Sequence, residues 1–228
     1  MRISIMQPGY LPWLGFFELM HNCDLFVLLD DVQYTKKDWR NRNKIRTNKG
    51  WAWITVPTLT KRNRFQLINE VKINNSVNWS RKHTASIKIH YGRSRYFNHY
   101  YYTLEKIYAR SWKFLLDLDV ALITYLKDKL GIKTPLIKSS ELLVAGKREE
   151  KIINICKKLG ASELYDSHAA STFLDRSMFK EQNITLEFQN YVHPVYNQQY
   201  DGFVSNLSTI DLIFNHGPDS LSIILNKF

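Results

Sequence analysis

The sequence predicts an α/β protein: a mostly parallel sheet flanked by helices, with a helical middle segment. Three observations carry that reading. The opening reads strand, turn, short helix and buried strand; Tyr96 to Leu130 runs with few breakers and repeated apolar spacing; the last third alternates helical and strand patterns.

Residues Arg2 to Met6 alternate and favour a strand, which Gln7-Pro8-Gly9 breaks. A turn-rich Tyr10 to Gly15 leads into a short helix over Phe16 to Asn22. Leu25 to Leu29 is an apolar run closed by Asp30-Asp31, the pattern of a strand covered on both faces. Together these make a βαβ unit, whose crossover is right-handed on general grounds. Trp51 to Val56, aromatic and β-branched before Pro57, is a strand, and Leu67 to Ile73 is a candidate for another. Tyr96 to Leu130 divides into two helices, with Gly131 ending the second. Pro135 to Leu143 returns to the sheet. Glu149 to Leu159 is a helix with Lys157 and Lys158 near its C-terminal carbonyls. Glu163 to Asp166 then reads as a strand, Thr172 to Glu181 as a helix and Ile184 to Tyr191 as a late strand. Leu207 to Phe214 and Pro218 to Leu225 close the chain as helices. No repeat or linker stands out, so the expectation is one domain over 1–228, with a helical insertion or lobe at about 94–131. The architecture is Rossmann-like.

Composition narrows the function. The chain has 228 residues, 44% of them hydrophobic and 14% aromatic, ample for a core. No apolar run approaches the ~20 residues of a membrane span, and the N-terminus lacks the apolar stretch of a secretory signal. Two cysteines, Cys23 and Cys156, fit a reducing cytoplasm better than a disulfide framework. A net charge of +11 favours anionic partners. Basic residues cluster at Lys36 to Lys49, Lys61 to Arg64, Arg93 to Arg95 and Lys147 to Lys158. No nucleic-acid-binding signature accompanies them, so small anionic ligands are favoured over specific nucleic acid.

Phosphate-loop, dinucleotide, Cys-x-x-Cys and Gly-x-Ser-x-Gly signatures are absent. His83 and His90 stand seven apart, which is weak ground for a metal, and none is expected. Polar-aromatic constellations remain. Gln7, Tyr10 and Trp13 lie in the turn leaving the first strand, where α/β proteins gather ligands; the aromatics equally suit a core cap. Asp30 and Asp31 end an apolar strand, and one can serve as a base or bind an amine. Trp39, Arg40, Asn41, Arg42 and Lys44 follow, with arginines suited to a diphosphate; the alternative is an exposed loop pairing with those acids. Lys82, His83 and Tyr91 form another group, His83 a candidate proton carrier or simply a hydrogen-bonding residue. Lys147 with Asp166-Ser167-His168, and Tyr200-Asp201 with Ser208, Asp211 and Asn215, read as caps and packing.

Several of these runs resemble the WbqC-like protein family. They are Gln7-Pro8-x-Tyr10-Leu11-Pro12-Trp13-x-Gly15, Asp30-Asp31-Val32-Gln33-Tyr34, Trp39-x-Asn41-Arg42-Asn43-Lys44-Ile45 and Trp51-x-Trp53-x-Thr55-Val56-Pro57. Trp79-x-x-Lys82-His83 and the Ser208 to Gly217 ending extend the match over nearly the whole chain. The resemblance implies a bacterial cytoplasmic protein of O-antigen or other surface-polysaccharide biosynthesis. It further implies transfer of a glycyl or related acyl group to a nucleotide-linked amino sugar. The donor would be a coenzyme A thioester, an aminoacyl-tRNA or an ATP-activated amino acid. Amide formation needs a proton acceptor, and Asp31 and His83 are the candidates. The remaining candidates would bind substrate.

The opening also looks like nucleotidylyltransferases and pantoate ligases. Their first turn carries His-x-Gly-His, where this chain has Pro12 to Gly15. An ATP-using ligase or nucleotidylyltransferase is therefore the alternative enzyme, and a noncatalytic binding protein of glycan assembly the third expectation. The transferase reading rests on the opening turn and the arginine-bearing stretch facing one another across one anion-receiving hollow.

Overall fold

The computed structural model describes residues 1–60 and 65–227; the basic cluster Lys61 to Arg64 lies outside the described residues. Along the chain run β1 (Arg2–Met6), α1 (Leu14–His21), β2 (Leu25–Leu28), β3 (Arg42–Thr47) and β4 (Gly50–Thr55). Then come α2 (Trp79–Tyr91), α3 (Phe97–Tyr108), α4 (Leu115–Lys129), β5 (Leu136–Lys138) and α5 (Arg148–Leu159). The chain closes with β6 (Glu163–Asp166), α6 (Arg176–Lys180), β7 (Thr185–Phe188), α7 (Thr209–His216) and α8 (Ser220–Ile224).

Two compact units share these elements. The first comprises Met1–Gln7, Glu18–Val32 and Lys133–Val192. Its five strands lie in the order β5-β2-β1-β6-β7, every neighbour parallel. Counted by chain order within the sheet this is 3-2-1-4-5, the Rossmann half-order, whose direction of growth reverses between β1 and β6. The sheet is flanked by helices, which is why Ile3, Ser4 and Ile5 are all buried despite the alternating sequence of β1. Ile152, Ile153 and Cys156 of α5 and Phe179 of α6 join Ile3, Ile5, Val27, Leu164 and Leu186 in one apolar cluster. Gly160 ends α5 in the left-handed region (φ 66°), as its place after the apolar stripe requires.

The second unit comprises Pro8–Phe17 and the described parts of Gln33–Ile132 and His193–Phe228. It contains α2, α3, α4, α7 and α8 and the antiparallel hairpin β3–β4, turned by Asn48 and Lys49. The expected strand at Trp51 to Val56 is β4, but it pairs with β3 alone and not with the parallel sheet. Leu67 to Ile73 is not a strand: Ile68–Glu70 is a 3-10 turn, and Leu67, Lys72 and Ile73 make isolated bridges. Its apolar residues Ile68, Val71 and Ile73 are buried with isolated bridges in place of a strand ladder. The helix at Thr172 to Glu181 shortens to α6, after a 3-10 turn at His168–Thr172. Among the described residues no helix is long and apolar enough to cross a membrane.

Candidate functional site

The hairpin carries the densest exposed chemistry of the second unit. Its register pairs Arg42 with Thr55, Lys44 with Trp53 and Arg46 with Trp51, which puts all six on one face. Asn43, Ile45, Ala52 and Ile54 occupy the other, where Ile45 and Ile54 are buried. Period-2 alternation thus separates an inner face of Asn43, Ile45, Ala52 and Ile54 from an outer face of cations and tryptophans, on which Arg46 is buried against backbone carbonyls and Arg42 and Lys44 are half-buried.

On that outer face Trp51 and Trp53 are 44% and 37% exposed, and Trp39, from the preceding loop, is 42% exposed. Ring centroids lie 5.2 Å apart for Trp39–Trp53 and 5.7 Å for Trp51–Trp53. The Arg42 guanidinium sits 4.2 Å over Trp53, and the Lys44 ammonium 4.3 Å over Trp51. Arg42 is further held by donating to Lys37 O at 2.5 Å. Rings and positive charge therefore form one continuous surface. Such a surface can stack a planar base or a sugar and bind phosphate beside it.

The opening turn is tied to this hairpin through its main chain. Tyr10 N–H donates to Trp39 O at 3.0 Å, and Asn43 Nδ2 donates to Leu11 O at 2.7 Å. The Tyr10 side chain, however, points into a closed cluster. Its hydroxyl lies 2.7 Å from His83 Nδ1 and also bonds the Tyr108 hydroxyl, with Trp79 packed against His83 and Tyr108. His83 Nε2 is 3.2 Å from Thr55 O, which can only accept, so Nε2 carries the proton and Nδ1 accepts from Tyr10. Burial pushes the His83 pKa down to about 4, so the ring is neutral near pH 7.

The other sequence candidates are placed as follows. Trp13 is half-buried, bridges Ser208 and covers Gly15 so closely that a Cβ there would meet its ring at 2.3 Å. Asn41 is buried and donates to Val56 O. Arg40 is half-buried and ion-pairs with Asp38 at 3.7 Å. Lys82 is exposed on α2. Tyr91 is fully buried; its hydroxyl accepts from Arg46 N, within a network that includes Asp211, Tyr196 and Gln198. Burial pushes the Asp211 carboxyl up to about 6.

Gln7, Asp30 and Asp31 belong to the first unit. Gln7 is half-buried after β1. Asp30, fully buried, accepts from Ser139 Oγ, Ser140 N and Ser140 Oγ at 3.0, 2.9 and 2.7 Å. Asp31 accepts from Ser139 Oγ at 2.5 Å and from the buried Lys151 Nζ at 2.6 Å. The two strand-end acids are thus clamped by the segment after β5 and by α5.

Two features of the second unit were not singled out from the sequence. Trp51 and Trp53 enter the sequence reading as strand residues and in the family resemblance but not as site candidates, although alternation with Ala52 and Ile54 already signals an outward tryptophan pair. Asp119 lies on the apolar stripe of α4, fully buried, and neither carboxylate oxygen has a hydrogen-bond partner among the described residues. Burial raises its pKa well above the usual carboxylate range, opposed by the charge of Arg40.

A parallel sheet in Rossmann half-order, flanked by helices, defines an α/β protein of Rossmann-like fold. More narrowly, the chain belongs to the WbqC-like protein family, whose model matches residues 7–223. It is 33% identical over 221 residues to "Uncharacterized protein Rv1507c" of Mycobacterium tuberculosis (strain ATCC 25618 / H37Rv), covering 96% of this chain and 95% of that one. No solved structure matches.

Proposed function

We propose that this protein acts in bacterial surface-polysaccharide biosynthesis, transferring a glycyl or other acyl group to a nucleotide-linked amino sugar. The observation that carries the reading is the outer hairpin face, where Trp39, Trp51 and Trp53 surround Arg42 and Lys44. A sugar nucleotide has matching parts: a flat base, sugar faces and a diphosphate. In the reaction the sugar amine attacks an activated acyl carbonyl. An amide bond forms, the bond to the donor's leaving group breaks, and the amine proton passes to a base. His83 and Asp31 are the proposed acceptors. The neutral ring is the proton-accepting form of His83, which a substrate proton would reach through the Tyr10 hydroxyl bonded to Nδ1, and the firm orientation of Asp31 by Ser139 and Lys151 supports the second.

Mass spectrometry of an amino-sugar nucleotide incubated with a coenzyme A thioester, an aminoacyl-tRNA or an amino acid plus ATP tests the reading. A product heavier by the acyl mass supports it; no acylated product with any donor overturns it. Binding is tested separately by tryptophan fluorescence. Trp53→Ala should retain the fold and weaken sugar-nucleotide affinity about ten- to a hundredfold, the worth of one stacked ring. Unchanged affinity removes the hairpin from the site. The parallel sheet favours one second reading, an ATP-using ligase or nucleotidylyltransferase, for which pyrophosphate release without acyl transfer is the diagnostic result.

A further inference from the structure

The first unit contains an open hollow of about 620 Å³ that neither the tryptophan face nor the clamped acids account for. It lies where β6 and β7 end. His168 and Ser171 come from the turn after β6, Asp175 and Arg176 from the start of α6, and Phe188, Gln189 and Asn190 from the end of β7. In open parallel sheets ligands collect outside the carboxyl ends of the strands. The volume is that of a small-molecule site, far larger than a bare phosphate requires.

Its chemistry is mixed in an informative way. Arg176 is exposed yet anchored: Nη1 donates to Leu186 O at 3.0 Å, and the guanidinium lies 4.8 Å over the Phe188 ring. His168 and Asn190 are exposed, and buried Leu174 adds an apolar wall. The Asp175 carboxylate accepts from Ser177 N at 2.9 Å, and that hydrogen bond holds its pKa below the usual range. It therefore remains an anion at neutral pH. A simple phosphate would be repelled by it, whereas a ribose diol is a good donor to it.

We propose that this hollow is a nucleoside-phosphate site. Arg176 and His168 receive the phosphate oxygens, Asp175 accepts from the ribose hydroxyls, and the Asn190 amide reads the edge of a base lying against Phe188 and Leu174. The site shares no residue with the hairpin face and does not depend on that face binding a sugar nucleotide.

The test is calorimetric titration of the full chain with ATP, AMP and inorganic phosphate, in wild type and in Arg176→Ala, His168→Ala, Asn190→Ala and Trp53→Ala. Because Arg176 also anchors β7, the exposed His168 and Asn190 variants keep the test valid if Arg176→Ala unfolds. The expected result is AMP or ATP binding at least tenfold tighter than phosphate. It should weaken at least fivefold in the hollow variants that fold, whatever Trp53→Ala does at the hairpin face. The proposal is overturned if no nucleotide binds, if phosphate binds as tightly as AMP, or if affinity follows Trp53 rather than the hollow residues.

Discussion

His83 is buried with a pKa of about 4, against an ordinary 6.5, so folding excludes a proton that the unfolded chain takes up below 6.5. Its contribution is full above pH 6.5 and is lost as the pH falls towards 4, at most about 3 kcal/mol over that window. Asp166 and Asp211, both pushed up to about 6 by burial, tilt stability the other way between pH 3.8 and 6. The difference between wild type and His83→Gln therefore isolates the histidine. Urea midpoints should converge as the pH drops from 6.5 to 4; a constant gap would mean that His83 takes up its proton normally in the fold. Asp119 gives the opposite test. Its raised pKa means stability is lost with rising pH above 3.8, as the unfolded chain releases a proton that the buried carboxyl keeps. Asp119→Asn should therefore raise the urea midpoint, and more at pH 8 than at pH 5. A variant less stable at pH 8 would show that the carboxylate is ionised and paired in the fold. Stabilisation together with lost ligand binding would mark a residue kept for function.

Among the elements, the link between Asp31 and α5 is a buried ion pair, with side chains only 9% and 18% exposed. Removing one partner strands the other charge. Lys151→Ala should cost about 3 kcal/mol by chemical denaturation, and Asp31→Asn with Lys151→Met should recover most of it. A loss below about 0.5 kcal/mol would show that water already screens the pair. The same scale explains which elements were legible. A buried strand such as β2 declares itself through its apolar run, and α3 and α4 through wide apolar stripes. Helix α2 was missed because its buried line is one residue wide, at Trp79, His83, Ile87 and Tyr91, with a histidine in it. Strand β3 was missed because Arg42, Lys44 and Arg46 made it read as a polar loop. Its alternation has meaning only once Trp51 and Trp53 are paired opposite.

Over the whole molecule the formal charge is +11, so a sugar nucleotide should bind with strong salt dependence. Affinity should fall on the order of tenfold between low and near-molar salt, as screening shortens the reach of surface charge. Salt-independent binding would place stacking, not phosphate contact, in control.

Composition, periodicity and the motifs around Gln7, Asp30, Trp39 and Trp51 by themselves determined the α/β class, most sheet elements and the family, because these are local or additive properties of the chain. Only the tertiary structure decided that Tyr10 turns inward to His83 and that Asp31 is held by Lys151, 120 positions away. It alone revealed the hollow where β6 and β7 end. Such pairings depend on long-range register and burial, for which neighbouring residues carry no signal.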